Sequence, residues 1–184
     1  MFNKFEIIGG AICAVCMGAA LYLVQVETAF FAPAEEFNQR AQVIDSSDPG
    51  IVVVERGENQ NQLRAEAYVE AADNRGNIER MVIDDIKVGV GESVKDGDTV
   101  SVHYVGTLQS GQEFDSSKKR GVPFEFTVGG GMVIPGWEQG VLGMQVGGQR
   151  VLVIPPELAY GEDGVGPIPG NATLVFSIEL LEIK

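Results

Sequence analysis

The first long pattern in the chain is an uninterrupted apolar segment near its start. From Ile7 to Val26, 20 consecutive residues carry no charge. A helix of that length rises about 30 Å, which matches the hydrocarbon core of a lipid bilayer. The pattern therefore predicts an N-terminal membrane anchor or signal-anchor helix within residues 1–27.

The residues on either side of this segment bear on its orientation. Lys4 precedes it and Glu27 follows it. A lone early lysine favours a cytoplasmic start, which places the rest of the chain outside the cytoplasm, on the periplasmic or extracellular side. The alternative is secretion after signal cleavage at Ala32–Ala34, a site that lies far beyond the apolar core and contains a proline. We therefore predict an uncleaved single-pass membrane protein.

A polar spacer with two short periodic segments is predicted at residues 28–75. Ile51–Val54 is a short apolar run typical of one local strand. Asn59–Asp73 contains good helix formers with a leucine and two alanines on one face, which predicts a short helix. Because that face is small, we expect the helix to dock on a domain, to pair with a second copy, or to remain solvated. The break that follows predicts a domain at residues 76–184.

Beyond residue 80 the pattern changes from helical to strand-like. Thr99–Leu108 alternates, with Val100, Val102 and Tyr104 on one predicted face. Gly136–Met144, preceded by a proline, is the only helix that the pattern predicts in this region. Strands joined by short turns, with one helix, predict an α+β domain with an antiparallel sheet. The other predicted strands are Met81–Val88, Phe124–Val128, Arg150–Pro155 and Ala172–Ile183.

Charge and composition exclude several classes of function. The net charge of −13 leaves no basic stripe to neutralise phosphates, so no nucleic-acid partner is expected. His103 is the only histidine, and both cysteines, Cys13 and Cys16, fall in the apolar segment, so no zinc site is expected in the domain. Gly129–Gly131 lacks the Lys-Ser/Thr of a phosphate-binding loop. We predict no metal and no cofactor, and a chemistry that depends on binding and desolvation by aromatic side chains.

Five ordered motifs make the chain similar to a known family. They are VHYVGTLQSGQEFDSS, PFEF, VIPGWEQGVLGMQVG, LAYG and NATLVFSIELL, all within residues 81–184. In order and spacing they resemble the FKBP-type peptidyl-prolyl cis-trans isomerases. The resemblance implies an antiparallel β-sheet wrapped around one short α-helix, with an apolar pocket between helix and sheet.

The resemblance also implies a role for each matching residue. Trp137 would form the pocket floor, and Phe114 would contact the proline ring. Asp115 would be the polar group beside it, while the Tyr160 hydroxyl and the Ile134 backbone would hydrogen-bond the bound peptide. The catalytic set implied is Tyr104, Phe114, Asp115, Trp137, Tyr160 and Phe176. The substrate-binding set implied is Phe124, Val133, Ile134 and Ile168, whereas Phe126 is expected to belong to the core.

The function implied is isomerisation of X-Pro bonds in proline-containing polypeptides, without a covalent step. Macrolide inhibitors of the tacrolimus and rapamycin type are implied as further ligands. The loop after Tyr160 is about one residue shorter than in the smallest family members, and Val165 stands where those members often carry a histidine. These departures affect the expected substrate preference and macrolide affinity.

Two other functions compete with this one. The first is a catalytically weak FKBP-like binding or chaperone module tethered to the membrane. The second is a membrane oligomer with a structural role. Small residues at every fourth position, Gly10, Ala14 and Gly18, permit close packing of two membrane helices, so a weak homodimer is also expected.

Overall fold

The structure is a computed structural model that describes residues 49–54 and 56–184. The predicted membrane segment, Ile7–Val26, lies outside the described residues. So do Gly10, Ala14 and Gly18, through which a homodimer is expected. Within the described part of the chain, no helix is both long enough and apolar enough to cross a membrane.

In the described part of the chain, seven strands form one sheet. In chain order they are β1 (Ile51–Val53), β2 (Met81–Lys87), β3 (Thr99–Leu108), β4 (Glu113–Ser116), β5 (Phe124–Thr127), β6 (Gln149–Ile154) and β7 (Leu174–Ile183). The order across the sheet is β1-β2-β6-β7-β3-β4. One edge of β3 pairs with β7 along its whole length. The other edge is shared, because β5 pairs with its first half and β4 with its second half.

Among residues 49–54 and 56–184, four short helical segments connect the strands. They are α1 (Gln60–Ala71), α2 (Ser117–Arg120), α3 (Pro135–Gly140) and a 3₁₀ turn (Pro156–Leu158). The prediction of a single helix in the domain was therefore wrong, because α2 and the 3₁₀ turn are too short to show a helical period. The predicted helix Gly136–Met144 is also shorter than expected. It ends at Gly140, where Val141 caps it through a bond to the Trp137 carbonyl.

The strand predictions hold to within two residues at each end, but the sheet is not wholly antiparallel. β1 runs parallel to β2, with Ile51 opposite Met81. A parallel pair needs a crossover connection, and α1 lies in that connection. The sequence did not predict β4, because its four residues are too few to show a period of two.

The main hydrophobic core lies between one face of the sheet and α3. The most deeply buried side chains come from β2, β3, β6 and β7, and Trp137 and Val141 join them from the helix region. α3 approaches the sheet closely, because a Cβ at Gly140 would lie 2.4 Å from Cδ1 of Leu152. This close approach packs the last residue of α3 directly against β6.

A second, smaller hydrophobic cluster covers the opposite face of the sheet. Ala67 and Ala71 of α1 pack there against Val82 of β2 and Val153 of β6. α1 thus docks on the sheet, and β1 extends the same sheet by one strand. The division of the chain at residue 76 stays a prediction.

Candidate active site

The centre of the candidate site is Trp137, which lies in the first turn of α3 and is 4% exposed. The ring of Tyr104 on β3 meets it at a centroid distance of 5.1 Å and an interplanar angle of 90°. The ring of Phe176 on β7 meets it at 5.2 Å and 89°. Edge-to-face pairs of this kind each add about 0.5–1.5 kcal/mol beyond the area they bury.

Three more phenylalanines surround this group. Phe124 on β5 lies 5.9 Å from Tyr104, and Phe114 on β4 lies 5.6 Å from Phe176, measured between ring centroids. Both are partly buried and pack against the core. Phe126 is buried, as expected of a core residue, and stacks on Phe124. The predicted aromatic residues of β3, β4, β5, β7 and α3 are therefore brought together.

A glycine on β3 makes room for two of these rings. A Cβ at Gly106 would lie 2.8 Å from ring atoms of both Phe114 and Phe176. Any side chain at this position would displace the rings, because contacts below 3.0 Å are not tolerated between carbon atoms. Gly106 therefore permits the two phenylalanines to close one side of the site.

The polar group of the site is the Asp115 carboxylate. It accepts a hydrogen bond from the Tyr104 hydroxyl and one from the backbone N–H of Ser116 at 2.8 Å. Arg120, at the end of α2, forms an ion pair with Asp115 and donates a second hydrogen bond to the Tyr104 oxygen at 3.0 Å. The Arg120 guanidinium also lies over the Tyr104 ring, 5.6 Å from its centroid.

These contacts shift the pKa values of the three groups. Partial burial acts to raise the pKa of Asp115, but hydrogen bonds from Tyr104, Arg120 and Ser116 outweigh it and hold the pKa below its usual value. Burial raises the pKa of Tyr104, and its hydrogen bond to Asp115 adds to this. Hydrogen bonds to Tyr104 and Asp115 raise the pKa of Arg120. At neutral pH the site therefore contains a carboxylate, a neutral phenol and a guanidinium.

Sequence reasoning missed Arg120, although it lies five residues after Asp115. The missing element was α2, whose four residues carry Arg120 back over the carboxylate. Ser117 at its start fixes this helix to β3, since the Ser117 Oγ accepts from the Tyr104 N–H at 2.8 Å and contacts His103 Nδ1 at 3.0 Å. The run Ser-Lys-Lys-Arg-Gly, with a glycine suited to a helix C-cap, was the available signal.

Two of the predicted substrate-binding residues lie immediately before α3. Val133 and Ile134 are partly buried and pack against the core. The Ile134 carbonyl accepts from the Trp137 N–H at 2.9 Å, whereas the Ile134 N–H donates to no group among the described residues. The segment before them is held by Glu138, whose carboxylate accepts from the backbone N–H groups of Gly129 at 2.6 Å and Gly131 at 2.9 Å. Glu138 is a second residue that sequence reasoning missed.

The remaining predicted residues come from the loop between β6 and β7. Tyr160 follows the 3₁₀ turn and is exposed at 37%, and within the described part of the chain its hydroxyl makes no hydrogen bond. Ile168 was expected at the pocket rim, but it is buried in the same core cluster as Trp137. Its backbone exchanges two hydrogen bonds with Val165, of 2.9 and 3.0 Å. The structure does not show a contact between Tyr160 and the other site aromatics.

The buried Trp137 indole N–H has no hydrogen-bond partner among the described residues. With the Ile134 N–H, it gives the site two polar groups without a partner among the described residues. A mostly apolar lining with a few polar groups is typical of a binding site for a small ligand.

The FKBP-type peptidyl-prolyl cis-trans isomerase family model matches residues 91–181. FK506-binding protein 2 of Dictyostelium discoideum is 58% identical over 91 residues, which are 49% of this chain and 68% of that protein. FK506-binding protein 4 of Chaetomium thermophilum is 56% identical over 107 residues, which are 58% of this chain and 22% of that protein. Among solved structures, the crystal structure of AtFKBP13 is 39% identical with a TM-score of 0.55, over 62% of this chain and 98% of that one.

Sheet, short helices and aromatic site together define an FKBP-like α+β domain. The chain belongs to the family of FKBP-type peptidyl-prolyl cis-trans isomerases. It covers only a small part of some relatives, 21% in the case of FK506-binding protein 4 of Gibberella zeae.

Proposed function

We propose that this chain accelerates cis-trans isomerisation of X-Pro bonds in polypeptide substrates. The observation that carries the proposal is the grouping of Tyr104, Phe114 and Phe176 around Trp137 within a domain of this family. Rotation about an X-Pro bond meets a barrier of roughly 18–20 kcal/mol, because amide resonance is lost. A twisted amide has less charge separation than a planar one, so an apolar aromatic surface favours it relative to water.

The free polar groups supply the second part of the proposal. The Ile134 N–H and the Tyr160 hydroxyl bond to no group among the described residues, and both would donate to the backbone of the bound substrate. Catalysis requires that the twisted bond be held more tightly than the planar one. A substrate backbone held by hydrogen bonds, with the proline ring against the aromatic group, would meet this requirement without a covalent step or a cofactor.

The test is exchange kinetics with X-Pro peptides and the full chain in mild detergent. Trp137→Leu, Phe114→Ala and Asp115→Ala are expected to lower kcat/KM by at least about tenfold while circular dichroism shows a retained fold. Tyr68→Leu, which changes a half-exposed aromatic on α1 away from the site, is the matched control and is expected to retain full activity.

A folded wild-type chain without acceleration on any X-Pro peptide would contradict the enzyme assignment. If the same chain still bound proline-containing peptides, it would be the catalytically weak binding or chaperone module. Binding and exchange should therefore be measured on the same preparation.

A membrane tether through Ile7–Val26 is a further part of the proposal. It rests on 20 uncharged residues in sequence. The FKBP-type domain would then lie outside the cytoplasm, with secretion after signal cleavage as the alternative, and Gly10, Ala14 and Gly18 would support a weak homodimer. Resistance of the chain to extraction by alkaline carbonate, with protease access from the outer side only, is the expected result. Release of a shortened chain into the medium would favour secretion.

Binding of macrolides is proposed from the relatives. Several of them are named FK506-binding proteins, and we propose that this chain takes macrolides of the tacrolimus and rapamycin type at the same aromatic site. Because Trp137 is the only tryptophan in the chain, its fluorescence is expected to change on titration with such a macrolide. No fluorescence change and no inhibition at saturating macrolide would contradict this part of the proposal.

A further inference from the structure

A buried guanidinium binds the C-terminal end of the helix that carries Trp137. The Arg150 side chain, on β6, is 3% exposed. Its Nε and one terminal nitrogen donate to the two carboxylate oxygens of Asp85 on β2, at 2.7 and 2.9 Å. The other terminal nitrogen donates at 2.8 Å to two backbone carbonyls, those of Gly140 and Leu142. Arg150 thus uses four of its five N–H donors, all of them on acceptors of the protein itself.

The two carbonyls lie where α3 ends. Gly140 is the last residue of α3, and Leu142 follows two residues later. The last carbonyls of a helix have no partner within the helix and must find one elsewhere. Arg150 supplies that partner, and hydrogen bonds from a charged donor are stronger than those from a neutral one. The end of α3 is therefore bound to β6 by a charged group.

Three residues on one face of β6 contact α3. Alternate residues of a strand point to the same side, so Arg150, Leu152 and Ile154 share this face. A Cβ at Gly140 would lie 2.4 Å from Leu152, and one at Gly136 would lie 2.5 Å from Ile154. These apolar contacts set the distance between α3 and β6, but apolar burial has no preferred direction. The hydrogen bonds from Arg150 are directional, so they fix where α3 lies along the strand.

Asp85 fixes the orientation of Arg150. The two residues face each other across the β2–β6 ladder, and both carboxylate oxygens bind the guanidinium. A pair of this kind, with two parallel hydrogen bonds, sets the plane of the guanidinium. The carboxylate also compensates a buried positive charge, which is costly without a partner. One acidic residue thus both neutralises Arg150 and directs it towards the end of α3.

The position of α3 decides the position of Trp137. The helix has only six residues, and Trp137 lies three residues before Gly140. Because six residues make fewer than two turns, a displacement of the helix end also displaces Trp137. Its ring is enclosed by edge-to-face contacts with Tyr104 and Phe176 at 5.1 and 5.2 Å. A shift of α3 therefore changes the aromatic group at its centre.

We propose that Arg150 is a positioning residue of the isomerase. By binding the Gly140 and Leu142 carbonyls, it keeps Trp137 where the reaction needs it. The inference rests on the proposed isomerase function and adds to it a residue that is too deeply buried to touch the substrate. Its loss is expected mainly in kcat, because a displaced aromatic group holds the twisted bond less well than before.

The first experiment replaces the guanidinium in the full chain, studied in mild detergent. Arg150→Met removes all four hydrogen bonds, and NMR exchange measurements with an X-Pro peptide give kcat and KM separately. We expect kcat to fall about tenfold while KM changes less, since small errors in positioning have large effects on rate. Trp137 is the only tryptophan in the chain, so its fluorescence emission in the folded state is expected to change as well. Arg150→Lys keeps the charge without the planar fork and is expected to lie between.

The neighbouring ion pair provides a matched control. Asp84 precedes Asp85 on β2 and pairs with Arg64 of α1 on the opposite face, with the same N–O distance of 2.7 Å as the Arg150 pair. Arg64→Met removes an ion pair from the same strand but on the face away from α3. It is expected to lower stability and to leave kcat and the emission of folded Trp137 as in wild type. Circular dichroism shows that each variant is folded at the assay temperature.

A second variant decides the case if Arg150→Met does not fold. Asp85→Asn keeps Arg150 and its two carbonyl acceptors but removes the charge that orients it. The Asp85 side chain is 29% exposed, so the substitution lies partly in contact with water. A smaller fall in kcat and a smaller change in Trp137 emission than in Arg150→Met are expected.

The outcomes separate this inference from the proposed function. Wild-type kcat and Trp137 emission in folded Arg150→Met, or in Asp85→Asn, overturn the positioning role and leave the isomerase. An equal fall of kcat in Arg64→Met also overturns it, because general loss of stability would then explain the effect. A wild type that accelerates no X-Pro peptide overturns the isomerase and, with it, the role of Arg150 in catalysis.

Discussion

Among single residues, Asp115 shows how a carboxylate is held ionised at the edge of an apolar site. Partial burial opposes ionisation, while Tyr104, Arg120 and the Ser116 N–H favour it. Because the folded-state pKa lies below the unfolded value of about 3.9, the network contributes stability above that pH. This contribution is lost as the pH falls through the lowered pKa of Asp115.

The role of Arg120 in this balance can be tested directly. Arg120→Met removes a hydrogen bond and a charge but keeps the partial burial, so the pKa of Asp115 is expected to rise. NMR titration of the Asp115 carboxyl carbon measures the change. Lys119→Met, which removes an ion pair with Glu113, is the control and should leave that pKa in place. The same pKa of Asp115 in wild type and Arg120→Met would show that the hydrogen bonds from Tyr104 and Ser116 are enough to keep this pKa low.

Glu138 acts on the site through the backbone. Its carboxylate binds the N–H groups of Gly129 and Gly131 and so positions the segment that leads to Ile134. Glu138→Ala is expected to raise KM about tenfold with a smaller change in kcat, since hydrogen bonds to a charged group are each worth roughly 1.5–3 kcal/mol. Steady-state kinetics with an X-Pro peptide give the split between KM and kcat.

The conservative variant strengthens that test. Glu138→Gln keeps one oxygen acceptor but places an NH₂ group against the second N–H, so a partial rise in KM is expected. Glu125→Gln, on β5, removes only an exposed pair with Lys184 and is expected to behave as wild type. A fall in kcat with unchanged KM in Glu138→Ala would argue against positioning of the substrate-binding segment.

Among the elements, α1 is the one whose position the sequence left open. Its small apolar face covers Val82 and Val153, and one ion pair joins it to the sheet. Arg64 donates from Nε to Asp84 at 2.7 Å, with the side chains 32% and 6% exposed. Oδ1 of Asp84 is buried and has no hydrogen-bond partner in the described part of the chain. A buried carboxylate with one partner depends strongly on that partner.

A double-mutant comparison tests this dependence. Arg64→Met is expected to lower the free energy of unfolding by about 2 kcal/mol, less than for a fully buried pair because Arg64 is partly in contact with water. The double variant Arg64→Met, Asp84→Leu removes both charges and is expected to recover most of that loss. Urea unfolding followed by circular dichroism measures both. A double variant less stable than Arg64→Met would refute the explanation by an unpaired charge.

For the whole molecule, the question is where the folded domain begins. The family match covers residues 91–181, but β1 and α1 cover the outer face of the sheet. A chain that begins at residue 76 exposes Val82, Val153 and Asp84, which are buried in the structure. We expect its free energy of unfolding to be about 3 kcal/mol lower than that of a chain that begins at residue 49. It should therefore unfold at a lower urea concentration.

Trp137 fluorescence during urea unfolding measures this difference. Because the residue lies in the main core, its fluorescence reports unfolding of that core in both chains. Equal stability of the two chains would place the domain start at residue 76, as the sequence predicts. Lower stability of the shorter chain would make β1 and α1 part of the folded domain.

The amino-acid sequence by itself determined every described strand except β4, and it determined the aromatic set. Thr99–Leu108 alternates over ten residues, which is long enough for period two to be recognised, and it was found with the observed bounds. Five ordered motifs indicated the family, and the family implied that the aromatic residues around Trp137 lie together. The positions of the strands and the family could be predicted because hydrophobic periodicity and short motifs each depend on residues that are close together in the chain.

Only the tertiary structure decided how distant segments meet. β4 and α2 are too short to show a period, so the position of Arg120 over Asp115 could not be read from the sequence. The docking of α1 depends on Asp84, twenty residues away from Arg64, in a strand whose other face belongs to the main core. Such contacts arise from the packing of whole elements, and burial then decides which polar groups need a partner.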